Sequence, residues 1–164
     1  MTEKAVFDRS KLTVEDKALL EAFQKRRSAI RNCINENNLK CTICPGCGFP
    51  TFTEDWFQDI CSVCNWQHDG QDDPHADEIW GGPNHDLSLT ESRLNICRLL
   101  KEKSEKLKDE INDEPFEILE TLKIHNERMD SFDEEKMRHA FHDDPIWKAW
   151  NEVGKQILND LIKR

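Results

Sequence analysis

The sequence predicts an α+β protein, mostly α, in which a ribbon with a short β-hairpin is packed among about five helices. Two Cys-x-x-Cys pairs, separated by thirteen residues, lie in the middle of the chain and predict the ribbon. Apolar residues at helical spacing, preceded by helix-capping residues, lie on both sides of it. The chain has 164 residues, enough for one compact domain, and divides into an N-terminal helical segment (1–40), the ribbon with an acidic loop (41–88) and a C-terminal helical segment (89–164).

The ribbon is predicted to hold one zinc ion. Two cysteine pairs at this separation have the spacing of a zinc ribbon, in which each pair forms a tight turn. The predicted ligands are Cys44, Cys47, Cys61 and Cys64. A closed site of four thiolates leaves no coordination position for water or substrate, so this zinc is expected to support folding rather than catalysis.

Details around the pairs agree with this interpretation. The residue that follows such a turn often needs a positive φ, which Gly48 and Asn65 both tolerate. The thirteen residues between the pairs are long enough for a short hairpin, with suitable strand residues at Thr51, Phe52, Trp56, Phe57 and Ile60. Cys41 offers a second, overlapping pair with Cys44, and its contribution to the metal site stays open.

Helix signals account for most of the remaining chain. Residues 1–12 are predicted to form a short irregular lead. A capping box of Thr13 and Asp16 predicts a first helix over 14–37, and one of Ser88 and Glu91 predicts a second over 89–111. Three further helices are predicted over 115–129, from a Ser131 cap to about residue 142, and from Pro145 onwards. The basic patch of the first helix is interpreted as a solvated face; it comprises Lys25, Arg26, Arg27 and Arg31.

Charge is unevenly spread along the chain, and its distribution indicates which classes of binding partner to expect. The net charge is −10, and residues 41–88 contain nine Asp or Glu but no Lys or Arg. A surface that binds nucleic acid needs Lys and Arg to contact phosphate, so nucleic-acid binding is not expected. The sequence contains no run of 18 apolar residues, so no membrane-spanning helix is predicted. It also shows no apolar leader of the kind found in signal peptides, and a cytoplasmic location is therefore expected. An anionic middle segment favours a basic protein partner.

The long polar loop at residues 67–86 is the predicted contact surface. Its candidate partner-binding residues are Asp69, Asp72, Asp73, Asp77, Glu78 and Trp80, with the last helix as a further apolar anchor. The same loop could instead form a hard-metal or enzymatic site with His68, His75 and His85. It does not match the calcium-loop pattern, and no nucleophile motif lies near the histidines, so no catalytic residue is predicted.

The segment from Cys44 to about Ile96 resembles the cysteine-rich CPCC family of small bacterial proteins. The matching motifs are Cys44-Pro45-x-Cys47-Gly48, Ile60-Cys61-x-Val63-Cys64-x-Trp66, Asp69-Gly70-Gln71-Asp72-Asp73-Pro74-x-Ala76-Asp77-Glu78, Trp80-Gly81-Gly82-Pro83-Asn84 and Leu87-Ser88-Leu89. Gly46 stands where the family motif has its third-position cysteine, which supports the assignment of the ligands to the other four. The resemblance implies a small zinc-ribbon protein without established enzyme activity, and some members resemble immunity proteins of bacterial toxin systems.

The favoured function is therefore that of a non-enzymatic zinc-binding protein that acts by protein–protein binding. In this hypothesis it is an immunity or antitoxin protein that neutralises a basic bacterial toxin domain. The alternatives are a metal-dependent enzyme that uses the loop of Asp and His residues, or a purely structural zinc module.

Overall fold

The computed structural model describes residues 3–52 and 60–162. The described chain is mostly helical, with five α-helices and three short 3₁₀ turns. The helices are α1 (Val14–Glu36), α2 (Leu89–Leu107), α3 (Pro115–Asp130), α4 (Glu134–His139) and α5 (Pro145–Asp160). The turns are Arg9–Lys11, Asp73–His75 and Gly82–Asn84. The prediction of a mostly helical protein with about five helices is thus confirmed.

Helix termini follow local capping chemistry, with two corrections. The capping boxes of Thr13 and Ser88 both form as predicted. Helix α2 ends at Leu107, four residues earlier than predicted, because Lys108 adopts the left-handed conformation that stops a helix. Helix α4 is capped by Asp133 instead of Ser131. The Ser131 hydroxyl instead donates to the Arg128 carbonyl at 2.6 Å and closes the end of α3.

The predicted β-hairpin is not supported, since the described residues contain no strand. Phe52 pairs with Thr42 and Ile60 pairs with Gln67, each in a single antiparallel bridge. Each of these bridges therefore spans its own cysteine pair instead of joining the two pairs. Pairing across the short turn closes a smaller loop and so costs less chain entropy. The predicted strand residues Trp56 and Phe57 lie outside the described residues.

The core joins the ribbon to the helices. One cluster of buried side chains combines the ribbon cysteines and Trp66 with apolar residues from α1, α2, α3 and α5. Helix α1 packs against α2 and α3, and α3 packs against α5. Within the described ranges, no helix has the length and apolar character needed to cross a membrane.

Candidate metal centre

Four sulfur atoms come together at the centre of the ribbon. The Sγ atoms of Cys44, Cys47, Cys61 and Cys64 all lie within 4.8 Å of one another. The Cys44–Cys64 and Cys47–Cys61 sulfur pairs are 3.7 and 3.6 Å apart. Four sulfurs placed about 2.3 Å from a tetrahedral zinc ion would be separated by about 3.8 Å, so the cluster fits an ion of that size. These cysteines are the one group of three or more Cys, His, Asp or Glu in the described ranges that could hold a metal ion.

The two cysteine pairs are held in the same backbone geometry. In the first, the Gly48 amide donates to the Cys44 carbonyl at 2.9 Å. In the second, the Asn65 amide makes the same bond to Cys61, also at 2.9 Å. Gly48 has φ +78° and Asn65 has φ +63°, which confirms the predicted left-handed residue after each turn. The two turns are thus structural repeats that present their sulfurs to a common centre.

The chemistry of the donor set also fits a divalent cation. Cys44, Cys47 and Cys61 are fully buried and Cys64 is partly exposed. Burial raises the pKa of the Cys47 thiol, because an uncompensated thiolate is unfavourable away from water. A bound Zn²⁺ would compensate the thiolate charge. All four positions of a tetrahedral ion would be filled by sulfur, which leaves none open for a substrate.

Cys41 does not belong to this cluster. It is half-buried at the edge of the core, and burial raises the pKa of its thiol. The position of Gly46 is closely packed. A Cβ atom there would lie 3.0 Å from the Cβ of Trp66 and 3.1 Å from the Oγ of Ser92. In this chain, therefore, Trp66 and Ser92 occupy the space next to the position where the family motif has a cysteine.

Three helices contact the cysteine turns. From α2, the buried Arg93 donates its Nε–H to the Pro45 carbonyl at 2.9 Å. From α3, the buried His125 is hydrogen-bonded through Nε2 to the Ser62 hydroxyl at 3.1 Å. From α5, Gly154 packs so closely that a Cβ atom there would lie 3.0 Å from the Ser62 carbonyl oxygen. The four-cysteine cluster and the helical segments thus form a continuous packed structure.

The acidic loop supplies counter-charges to two buried arginines. Arg27 of α1 binds Asp72 at 2.8 Å and Asp73 at 3.0 Å, while Arg93 of α2 binds Asp73 at 2.8 Å. The side chains of Arg27 and Arg93 are only 3% and 4% exposed. Burial alone would raise the pKa of Asp73, but the two guanidinium groups outweigh it and hold that pKa below its usual value. We call these four residues the arginine–aspartate clamp.

The clamp corrects the interpretation of the basic patch on the first helix. Arg26 and Arg27 are both buried and do not lie on a solvated face. Arg26 lies over the ring of Phe49, with its guanidinium carbon 5.1 Å from the ring centroid. The signal for burial was present in the sequence. Arg26 and Arg27 follow the buried Phe23 by three and four residues and precede the buried Ile30 by four and three residues. At this helical spacing all four residues lie on the inward face of α1.

A second set of bonds holds the loop together internally. Asn84 is buried, and its side chain accepts from the Gln67 amide at 2.9 Å and donates to the Gln67 carbonyl at 2.7 Å. Asp69 accepts hydrogen bonds from the Gln71 amide at 3.0 Å and from the Asn84 side chain at 3.3 Å. The fully buried Gln71 donates to the carbonyls of His75 and Glu78. This long loop is thus held by specific polar contacts.

The last three predicted contact residues form one edge of the loop. Asp77 accepts from Thr90 and pairs with Arg9. Glu78 accepts from the Trp80 indole at 2.7 Å and pairs with His75 at 2.8 Å. These hydrogen bonds lower the pKa of Glu78 to about 2. All five predicted carboxylates therefore have partners inside the chain, and their contact with another protein stays a prediction.

The loop histidines lie in different environments. His68 is 7% exposed and stacks on the ring of Phe52, with centroids 5.7 Å apart. Burial lowers its pKa, so the neutral ring is favoured. His75 is bound to Glu78, and His85 is exposed. The structure thus does not bring the three histidines together with the loop carboxylates to form a second metal-binding group within the described ranges.

Comparison with known proteins gives a match to a protein family. The family model described as Cysteine-rich CPCC matches residues 42–110, which contain both cysteine pairs, the acidic loop and helix α2. The matched region covers and extends the segment whose motifs resemble this family. No curated protein and no solved structure matches the chain. The resemblance to the Cysteine-rich CPCC family is thus confirmed over residues 42–110.

Proposed function

We propose that this chain is a zinc-stabilised binding protein that acts on a basic protein partner. The partner class that best fits the family resemblance is a bacterial toxin domain, which the chain would neutralise as an immunity protein. The four-sulfur cluster is the observation that carries this proposal. A closed site of four cysteines supports structure, and its chemistry offers nothing to a substrate.

The zinc centre would organise the segment that presents the acidic loop. The ribbon contributes no regular strand in the described ranges, and its two turns are held mainly through their cysteines and the helices beside them. Zinc binding in such a segment is coupled to folding, because the unfolded chain does not hold the sulfurs together. The metal thus serves the binding surface indirectly, by fixing the backbone from which the loop emerges.

Charge supports a basic partner. The chain has a formal net charge of −10, and one zinc ion with four thiolates would add about two further negative charges. The carboxylates of the acidic loop are balanced in part by Lys4, Arg9, Arg27 and Arg93. The helical region 109–144 carries thirteen Asp or Glu against four Lys or Arg. This long-range negative field would speed association with a cationic protein and make the rate sensitive to salt.

The test has two parts. Zinc content is measured on the purified full chain and is expected to be about one ion per chain. The tagged chain is then used to isolate partners from its source cells at low and high salt, and the activity of any basic protein obtained is assayed with and without an equivalent of the chain.

Loss of the partner's activity on addition of the chain, together with salt-sensitive binding, would support the proposal. Two results would contradict it: a metal content near zero, or a chain that carries zinc but neither binds a basic protein nor changes the activity of one. A catalytic activity that depends on the loop carboxylates would favour the enzyme alternative.

A further inference from the structure

Residues 3–8 lie along the acidic loop as an extended segment, and Arg9 begins the 3₁₀ turn that follows. We call residues 3–9 the strap and residues 77–80 the loop edge. The Phe7 amide donates to the Asp77 carbonyl at 2.7 Å, and the Ile79 amide donates to the Ala5 carbonyl at 2.9 Å. Val6 and Glu78 form an antiparallel β-bridge between these two bonds. The strap therefore uses the hydrogen-bonding groups of the loop edge as an added strand would.

The side chains of the strap complement those of the loop edge. The Lys4 ammonium lies 3.6 Å from a carboxylate oxygen of Glu78 and 5.6 Å from the centroid of the Trp80 ring. Arg9 donates its Nε–H to the carboxylate of Asp77. Two cations of the strap thus meet two acids and one aromatic ring of the loop edge. Asp77, Glu78 and Trp80 are three of the six residues that the sequence predicts to bind a basic partner.

Most side chains of the strap are exposed. The side chains of Lys4 and Arg9 are 67% and 56% exposed, and Val6 is 60% exposed. Ion pairs at such exposure contribute little to stability. Phe7 is the half-buried side chain of the strap, and no residue of the strap belongs to the buried core. The strap can therefore leave the loop edge without opening the core.

We propose that the loop edge is the docking site for an extended basic segment of the partner protein, and that the strap occupies this site until the partner displaces it. The partner segment would pair with the backbone of residues 77–79 and place cations beside Asp77 and Glu78. This inference rests on the proposed function and adds to it a binding mode and an autoinhibitory contact. Competition from the strap would weaken the binding of the partner segment, because only the chains in which the loop edge is open can bind it. The apparent dissociation constant would equal the intrinsic one divided by the fraction of open chains.

The experiment uses a fluorescein-labelled peptide of residues 3–11 as the probe, and fluorescence anisotropy as the measurement. It compares the full zinc-loaded chain with a strap variant, Lys4→Glu with Arg9→Glu. A control variant, Lys106→Glu with Lys155→Glu, makes the same change in net charge and also breaks two exposed ion pairs. The peptide is expected to bind the strap variant roughly ten-fold more tightly than the wild type or the control. Adding Glu78→Gln to the strap variant is expected to remove most of that gain.

Hydrogen exchange gives a second reading on the wild-type chain. The amides of Phe7 and Ile79 are expected to exchange at least roughly a hundred-fold faster than core amides such as that of Ile30, because strap opening exposes them. Equal peptide binding by all three proteins, or protection of Phe7 and Ile79 equal to that of the core, would overturn the inference. Either result would contradict only the strap, because zinc content and inhibition of a basic partner are measured separately. If the proposed function is wrong, the strap variant will also fail to bind a basic partner.

Discussion

Replacement of Asp73 by Asn tests whether the acidic loop stabilises the fold. Asp73 contacts both arginines of the clamp, Arg27 at 3.0 Å and Arg93 at 2.8 Å. The substitution keeps the size of the side chain and removes its charge. Asp72 remains beside Arg27, whereas its distance to Arg93 is 3.6 Å. Arg93 thus loses its nearest counter-charge while its side chain stays buried.

The magnitude follows from the burial of the partners. Removing one member of a fully buried ion pair costs roughly 3–5 kcal/mol, because the other charge is left uncompensated. The side chain of Asp73 is 48% exposed, so water screens part of the interaction. We therefore expect a loss of about 2 kcal/mol in the free energy of unfolding. For a chain of this length, that loss lowers the melting temperature by about 4–8 °C.

The same reasoning predicts the dependence on pH. The guanidinium groups of Arg93 and Arg27 hold the pKa of Asp73 below its usual value in the folded chain, so the folded state binds this proton more weakly than the unfolded state. The stabilisation is therefore fully present above the unfolded pKa and is lost as the pH falls through the folded pKa. The difference in stability between the wild type and the Asn variant is expected to be constant near pH 7 and to shrink below about pH 4.

Urea unfolding at fixed zinc concentration provides the assay. Asp86→Asn is the matched control. Asp86 is exposed in the same loop, and its substitution by Asn removes the same charge. The control is expected to stay within about 0.5 kcal/mol of the wild type. If Asp73→Asn is no less stable than Asp86→Asn, or if their difference does not depend on pH, the clamp does not stabilise the fold and the reasoning fails.

Three further predictions concern the metal centre and its packing. Cys61→Ser is expected to lose the bound zinc and to melt at a lower temperature, and a variant with full metal content and unchanged melting would disprove the structural role. Gly154→Ala would normally stabilise a helix by about 1 kcal/mol, but its Cβ would meet the Ser62 carbonyl at 3.0 Å, so we expect a net loss of about 1 kcal/mol by urea unfolding. A rise in stability would show that α5 is not tightly packed on the turn. Gly46→Ala is expected to cost about 1–3 kcal/mol because of its contact with Trp66, with zinc content unchanged; an unaltered unfolding midpoint would contradict this packing argument.

Local patterns determined a large part of the structure in advance. The cysteine spacing identified the four residues whose sulfurs converge, and the need for a positive φ explained Gly48 and Asn65. The capping boxes located the starts of α1 and α2. The caps and the two turns could be predicted because each depends on residues within a few positions of one another, and the convergence of the four sulfurs because two such pairs at this separation have the spacing of one shared site.

Features that depend on distant residues were decided only by the tertiary structure. The predicted hairpin was replaced by two bridges, each across its own cysteine pair. Arg27 became a partner of Asp72, which is 45 residues away. The N-terminal lead became a strap on the loop edge. No local pattern states which distant charges will meet, because that depends on how the helices pack.

The sequence by itself thus determined the helical character, the four cysteines that could hold a metal ion and the acidic nature of the loop. The tertiary structure decided which residues the loop's carboxylates contact. It assigned Asp72 and Asp73 to two buried arginines, and Asp77 and Glu78 to an edge covered by the strap. The physical reason is that burying the guanidinium groups of Arg27 and Arg93 is costly without a counter-charge, and only the folded chain brings Asp72 and Asp73 within reach.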